Sequence, residues 1–149
     1  MRGNKILIIH GPNLNLLKFR EDIYGKIDNQ EFEEILLDYE KNIEFYQSNH
    51  EGDIIDKIQS LLCNDKYYGL IINPGGYTHY SVSILDALKM INIPKVEVHL
   101  TKIENRENYR NFSITKDGCD YYISGEGING YKKAIDIIKE NIILEKEEL

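Results

Sequence analysis

Leu70-Ile71-Ile72-Asn73-Pro74-Gly75-Gly76-Tyr77-Thr78-His79 is the stretch on which the reading of the chain turns. Leu70 to Ile72 is a short, uninterrupted apolar run, the pattern of a strand buried on both faces. Pro74 removes a backbone donor and Gly75-Gly76 permit positive φ, so the strand ends at Asn73. Three polar-tipped residues follow, and Ser81 or Ser83 then caps a helix carrying Val82, Leu85 and Leu88. A buried strand, a tight glycine turn, polar groups and a helix start describe the carboxyl edge of an open parallel sheet, where such sheets bind ligands.

Outward from that stretch, strands and helices alternate. Lys5 to His10 reads as the first strand, with Gly11-Pro12-Asn13 ending it. Leu14 to Gly25 has no clean period and is expected to be a mobile lid loop at the active edge. Asp28 caps a helix with Glu31 at the capping-box position, and Phe32, Ile35, Leu36 and Tyr39 follow at helical spacing. Ile43 to Ser48 alternates like an edge strand. Ile54, Ile55, Ile58, Leu61 and Leu62 form the stripe of a second helix. Lys95 to Leu100 and Tyr121 to Ser124 are the fourth and fifth strands, with a helical turn expected over Glu104 to Tyr109. Tyr131, Ala134, Ile135 and Ile138 lie on the last helix, and Glu145 to Leu149 is a charged tail expected to fray. The pattern implies one α/β domain over residues 1–149. Its architecture is flavodoxin-like: a doubly wound, five-stranded parallel sheet with helices on both faces.

The bulk numbers narrow the function. At 149 residues the chain can bury one sizeable core. A formal charge of -7 disfavours nucleic-acid binding. No apolar run approaches the ~20 residues that span a bilayer, and Met1 to Ile9 reads as the approach to a strand, not a leader peptide. Two cysteines, Cys63 and Cys119, form neither a disulfide framework nor a metal spacing, which fits a reduced cytoplasmic setting. Gly125-x-Gly127-x-x-Gly130 follows a strand and opens a helix. It lies at the last strand and lacks the acidic partner of a dinucleotide site, so close helix–strand packing is the better reading.

Polar residues gather at the strand ends: Asn13, Asn49-His50-Glu51, Asn73 with His79, and His99 with Thr101. No metal spacing, Walker loop or nucleophile elbow appears among them. What remains is cofactor-free acid–base chemistry with a histidine as acid. Arg106 reads as structural and Arg110 as the better ligand candidate; His50 reads as helix-start or pocket support.

Five ordered segments then carry a resemblance. They are Gly11-Pro12-Asn13-Leu14-Asn15-Leu16-Leu17, Arg20-Glu21-Asp22-Ile23-Tyr24-Gly25, Gln47-Ser48-Asn49-His50-Glu51-Gly52, Ile72 to His79, and Ile93 to Thr101. Together they resemble the type II 3-dehydroquinate dehydratases nearly end to end, with Asn105-Arg106-Glu107, Arg110 and the glycine motif extending the match. The resemblance implies anti elimination of water from 3-dehydroquinate through an enolate, giving 3-dehydroshikimate in the shikimate pathway. It implies Tyr24 as the base that removes the C2 proton, with Arg20 favouring tyrosinate. His99 would be the general acid, Glu97 would orient and charge it, and Asn13 would hold a water or donor near the enolate oxygen. Asn73, His79 and Arg110 would bind substrate hydroxyls. Leu100 and Thr101 would take the carboxylate, and Asp86 would reach a neighbouring subunit's site. No metal or cofactor is implied, and the implied assembly is a dodecamer of four trimers.

The chain departs from that family's usual pattern in three places. The loop from Arg20 to Tyr24 is one residue shorter and lacks the usual proline. His10 stands where Asn or Gln is usual. Asn111-Phe112-Ser113 replaces a common His-Ser pair, and these last changes are expected to sit beside the site. Two other classes share the architecture. An FMN binder or an inactive small-ligand-binding domain would use the same sheet, but a phosphate loop after the first strand is replaced here by Leu14-Asn15-Leu16-Leu17. A response regulator would need an aspartate where Asn73 stands.

Overall fold

Apolar residues along each strand are sent alternately to two faces of one sheet, and the two faces have different covers. In the computed structural model, which describes residues 3–20 and 27–148, the strands are β1 (Lys5–His10), β2 (Ile43–Gln47), β3 (Tyr67–Asn73), β4 (Lys95–His99) and β5 (Tyr121–Ser124). All pairings are parallel and the order is β2-β1-β3-β4-β5, so the flavodoxin-like expectation holds. Four helices cross over: α1 (Asn29–Tyr39), α2 (Glu51–Ser60), α3 (Val82–Lys89) and α4 (Ile128–Glu148). Ile6, Ile8, Ile71, Val96 and Val98 pack with Phe32 and Leu36 of α1 and with Tyr131, Ala134, Ile135 and Ile138 of α4. Leu7, Ile9, Leu70 and Ile72 pack with Ile54 and Ile58 of α2 and with Ile84, Ala87 and Leu88 of α3. Each fully buried side chain of this kind contributes about 1.5–3 kcal/mol, so two filled layers hold β1 and β3 at the centre.

Local chemistry starts the helices where the spacing placed them. The Asp28 carboxylate accepts from the Glu31 amide at 2.9 Å, and the Ser81 hydroxyl accepts from the Ile84 amide at 3.0 Å. Ser81 also donates to Glu51 Oε2 at 2.6 Å, tying α3 to the start of α2.

Several expectations are corrected. Val82 is the first residue of α3 and is exposed, because Ile84, Ala87 and Leu88 take the sheet-facing positions. Leu62 is exposed because α2 stops at Ser60, and Ile35 and Tyr39 turn outward from α1. The turn expected over Glu104 to Tyr109 is a short 3-10 turn at Ile103–Asn105. Of the expected lid, Leu14 and Leu17 are buried in the core under α1, so that part is anchored. The Asn29 carboxamide ties it down further, donating to the Leu14 carbonyl at 2.7 Å and accepting from the Leu17 amide at 3.0 Å. Residues 21–25 of the lid, including Tyr24, lie outside the described residues. Helix α4 continues through Glu148, covering residues read as a tail. Gly130 faces Ile123 of β5 and Val98 of β4 at close range, as the packing reading of the glycine motif requires. Among the described residues no helix is long and apolar enough to cross a membrane.

Candidate active site

The order in which strands are added reverses between β1 and β3, and the crevice outside their carboxyl ends is where an α/β sheet of this winding takes its ligand. A cavity of about 460 Å³ lies there. Eight of the eleven residues expected to form the site line it: Asn13, Arg20, Asn73, His79, His99, Leu100, Thr101 and Arg110. Glu97 stands behind His99, one strand-face position back. Asp86 lies on the exposed face of α3 and does not line the cavity. Tyr24 lies outside the described residues.

The end of β1 is shaped by backbone demands. Asn13 adopts the left-handed conformation, φ 70°, which asparagine tolerates better than most residues. Its amide donates to Asn49 Oδ1 at 3.0 Å, and Gln47 of β2 bridges Asn49 and the Gly11 carbonyl at 3.1 and 3.2 Å. The Gln47-Ser48-Asn49 segment is therefore the brace of the Asn13 turn. At the end of β3, Gly75 sits at φ 61°, and its amide donates to Asn73 Oδ1 at 3.1 Å. Residues Gly75–His79 wind into a 3-10 turn. The turn aims His79 at the cavity. Its Nδ1–H donates to the Phe112 carbonyl at 2.7 Å, which leaves Nε2 as the acceptor. Burial pulls the His79 pKa below its ordinary value, with the Phe112 carbonyl opposing, so the ring is neutral near pH 7.

His99 is held from behind. Glu97 and His99 share a face of β4 because strand side chains alternate, and Glu97 Oε2 meets His99 Nε2 at 2.9 Å. A carboxylate only accepts, so Nε2 carries the hydrogen, and Nδ1 is the nitrogen left to exchange a proton with the cavity. Glu97 is fully buried. Ser113 donates to the same carboxylate at 2.6 Å, and the Thr115 hydroxyl donates to its other oxygen. An imidazolium at His99 thus has a buried counter-ion whose own lone pairs are satisfied. These contacts correct one expectation: the Asn111-Phe112-Ser113 departure is not merely beside the site. Phe112 holds His79 and Ser113 holds Glu97. Ser113 and Thr115 flank Ile114, whose helical backbone leads into a 3-10 turn over Thr115–Gly118, and no local sequence signal marks either hydroxyl.

Arginines surround the opening. Arg106, read as structural, lines the cavity with Arg20 and Arg110, and among the described residues no Asp or Glu does. Among the described residues the charged side chains on this lining are arginines; Glu107, outside it, pairs with Arg110 at 3.0 Å and Arg106 at 3.8 Å, which leaves the rim net positive, as suits an anion. Leu100 and Thr101 follow β4 directly. Their turn is braced by Ser124 of β5, whose hydroxyl lies 3.2 Å from the Thr101 carbonyl and 3.0 Å from Glu104, and which accepts from the Ile103 amide. His50 opens α2 with no side-chain cap bond and lies outside the cavity. Among the described residues no three His, Cys, Asp or Glu side chains cluster as metal ligands would.

Fold and cavity define an α/β acid–base site built to hold a small anion. Comparison with known proteins makes the assignment narrower. The family described as dehydroquinase class II matches residues 4–139, and the chain belongs to that family. It is 49% identical over 148 residues to the 3-dehydroquinate dehydratase of Clostridium botulinum (strain Kyoto / Type A2), spanning 96% of this chain and 99% of the relative. The crystal structure of the type II dehydroquinase from Butyrivibrio crossotus superposes with a TM-score of 0.88 at 45% identity, over 92% of this chain and 98% of that one. The enzyme from Propionibacterium acnes gives 0.83 at 30% identity, over 91% and 97%.

Proposed function

We propose that this chain dehydrates 3-dehydroquinate to 3-dehydroshikimate without a cofactor, as a hydro-lyase of the shikimate pathway. The observation that carries the reading is the His99–Glu97 pair, placed on a cavity lined by three arginines and, among the described residues, no carboxylate. The substrate carries a carboxylate, and the Leu100–Thr101 turn with the Thr101 hydroxyl receives it. Asn73, His79 and Arg110 take the ring hydroxyls; His79 accepts through Nε2. Tyr24 removes the C2 proton. An unperturbed phenol near pKa ~10 is a poor base at pH 7, and Arg20, four residues earlier and lining the cavity, favours the phenolate. The electron pair moves onto the ketone oxygen as an enolate, beside which Asn13 holds a water or donor. The enolate then expels the hydroxyl from the opposite face, and His99 Nδ1 gives it the proton with which it leaves as water. Tyr24 ends protonated and His99 neutral, and each recovers its starting state by one proton exchange with solvent.

Asp86, exposed on α3, acts in this reading from a neighbouring subunit, within a dodecamer of four trimers in the cytoplasm. The test is the absorbance of the conjugated enone when the protein, in chelator, meets 3-dehydroquinate, beside a Tyr24→Phe variant. Enone formation by the wild type and a loss of about 10² or more in the variant is the expected result. A folded wild type that forms no enone overturns the reading.

A further inference from the structure

Behind the cavity floor lies a buried polar chain that the elimination itself does not use. His10 ends β1 and Tyr131 sits on the buried face of α4. Phe32 of α1 walls them in, 4.9 Å from the Tyr131 ring and 5.3 Å from the His10 ring. The Tyr131 hydroxyl lies 2.8 Å from His10 Nε2 and 3.3 Å from Asn73 Nδ2.

Chemistry settles the direction of each bond. The Gly75 amide can only donate, so it takes the carbonyl end of Asn73, and the NH2 end faces Tyr131. An NH2 group only donates, so the Tyr131 oxygen accepts from it and gives its own hydrogen to His10 Nε2. That nitrogen must be bare, which makes His10 neutral with its hydrogen on Nδ1. Burial keeps it so, pulling its pKa down to about 4.

We propose that Tyr131 and His10 are positioning residues for substrate recognition, fixing the Asn73 carboxamide so that its second amide hydrogen is presented to a substrate hydroxyl. This rests on the reading of Asn73 as a substrate ligand. Without the Tyr131 acceptor, the inward N–H of Asn73 is unpaired in the core, and the carboxamide turns toward the cavity to find a partner. Alignment with the bound hydroxyl is then lost. A ligand contact made equally in ground and transition states shows in KM, not in kcat.

Steady-state kinetics with 3-dehydroquinate test the chain of contacts, with melting temperatures measured alongside. Tyr131→Phe and His10→Leu are expected to raise KM about five- to tenfold with kcat within about twofold. His10→Gln, whose carbonyl can accept the Tyr131 hydrogen, is expected to restore KM to within about twofold of wild type. In an Asn73→Ala background, Tyr131→Phe is expected to add nothing, because it acts through the group already removed. Wild-type turnover with an unmoved KM in Tyr131→Phe, or the same KM effect with and without Asn73, overturns the inference alone. Absence of wild-type turnover overturns the functional reading and this inference with it. Should Tyr131→Phe fail to fold, the His10→Leu and His10→Gln pair decides by the same KM criterion.

Discussion

Two buried ionisable residues stand behind side chains of the cavity lining, His10 linked through Tyr131 to Asn73 and Glu97 to His99. His10 is kept neutral by burial, with a pKa of about 4 against an ordinary 6.5. Between those values the unfolded chain binds a proton that the folded protein refuses. The stability due to neutral His10 is therefore complete above pH 6.5 and is lost as pH falls toward 4, a change of about 3 kcal/mol across the window. Urea unfolding of wild type and His10→Gln at pH 7, 5.5 and 4 should show the wild type losing stability more steeply; parallel curves would sink the idea. Glu97 is a buried carboxylate that accepts from Ser113, Thr115 and His99. Glu97→Ala leaves the His99 N–H without its acceptor and the Ser113 and Thr115 hydroxyls, 3.3 Å apart, with only each other. It should cost about 2–4 kcal/mol of stability by denaturant titration and on the order of 10²-fold in kcat. A variant that melts like wild type and turns over normally would remove Glu97 from both roles.

At the level of elements, the site depends on how closely the ends of β1 and β3 approach. The Gly11 amide donates to the Asn73 carbonyl at 2.8 Å. A Cβ on Gly11 would stand 2.2 Å from the Pro74 carbonyl oxygen, a backbone atom that cannot swing aside. Gly11→Ala must therefore push the two strand ends apart, moving Asn13 and Asn73 together. The expected cost is about 2–3 kcal/mol in chemical denaturation, accompanied by a rise in KM. An unchanged melting curve would mean that the turn relaxes freely. The short β5 works in the same manner from the other side, since Ser124 and Tyr122 both donate to Glu104 and steady the turn after β4.

Across the whole molecule, two electrostatic scales compete. The net charge of -7 repels an anionic substrate at long range, while three arginines attract it at the cavity mouth. The Debye length is ~10 Å at 0.1 M salt, so distant carboxylates are already screened there while contacts within the cavity are felt. Raising salt from about 0.05 to 0.5 M should thus raise KM for 3-dehydroquinate severalfold, with kcat little changed. A KM that falls with salt would show the global charge in command.

Periodicity alone carried the architecture. Apolar runs of strand length alternating with stripes at helical spacing left one sheet winding available, and the strand and helix starts at Lys5, Asp28 and Ser81 are where local chemistry puts them. The strand-end polar residues were legible for the same reason, because parallel strands deliver their carboxyl ends to one edge whatever the rest of the chain does. What the sequence could not rank was the layer behind them. Ser113 and Thr115 bond Glu97 across 16 and 18 residues, and Tyr131 bonds His10 across 121. Tyr131 has the spacing of an ordinary core residue, and nothing local distinguishes its hydroxyl from a spare one. Arg106 likewise reads as structural until the turn after β4 brings it to the cavity lining with Arg110. Element type follows from interactions a few residues apart and is written in the chain. Which donor meets which acceptor in the core depends on closures from 16 to 121 residues long, and only the packed sheet decides it.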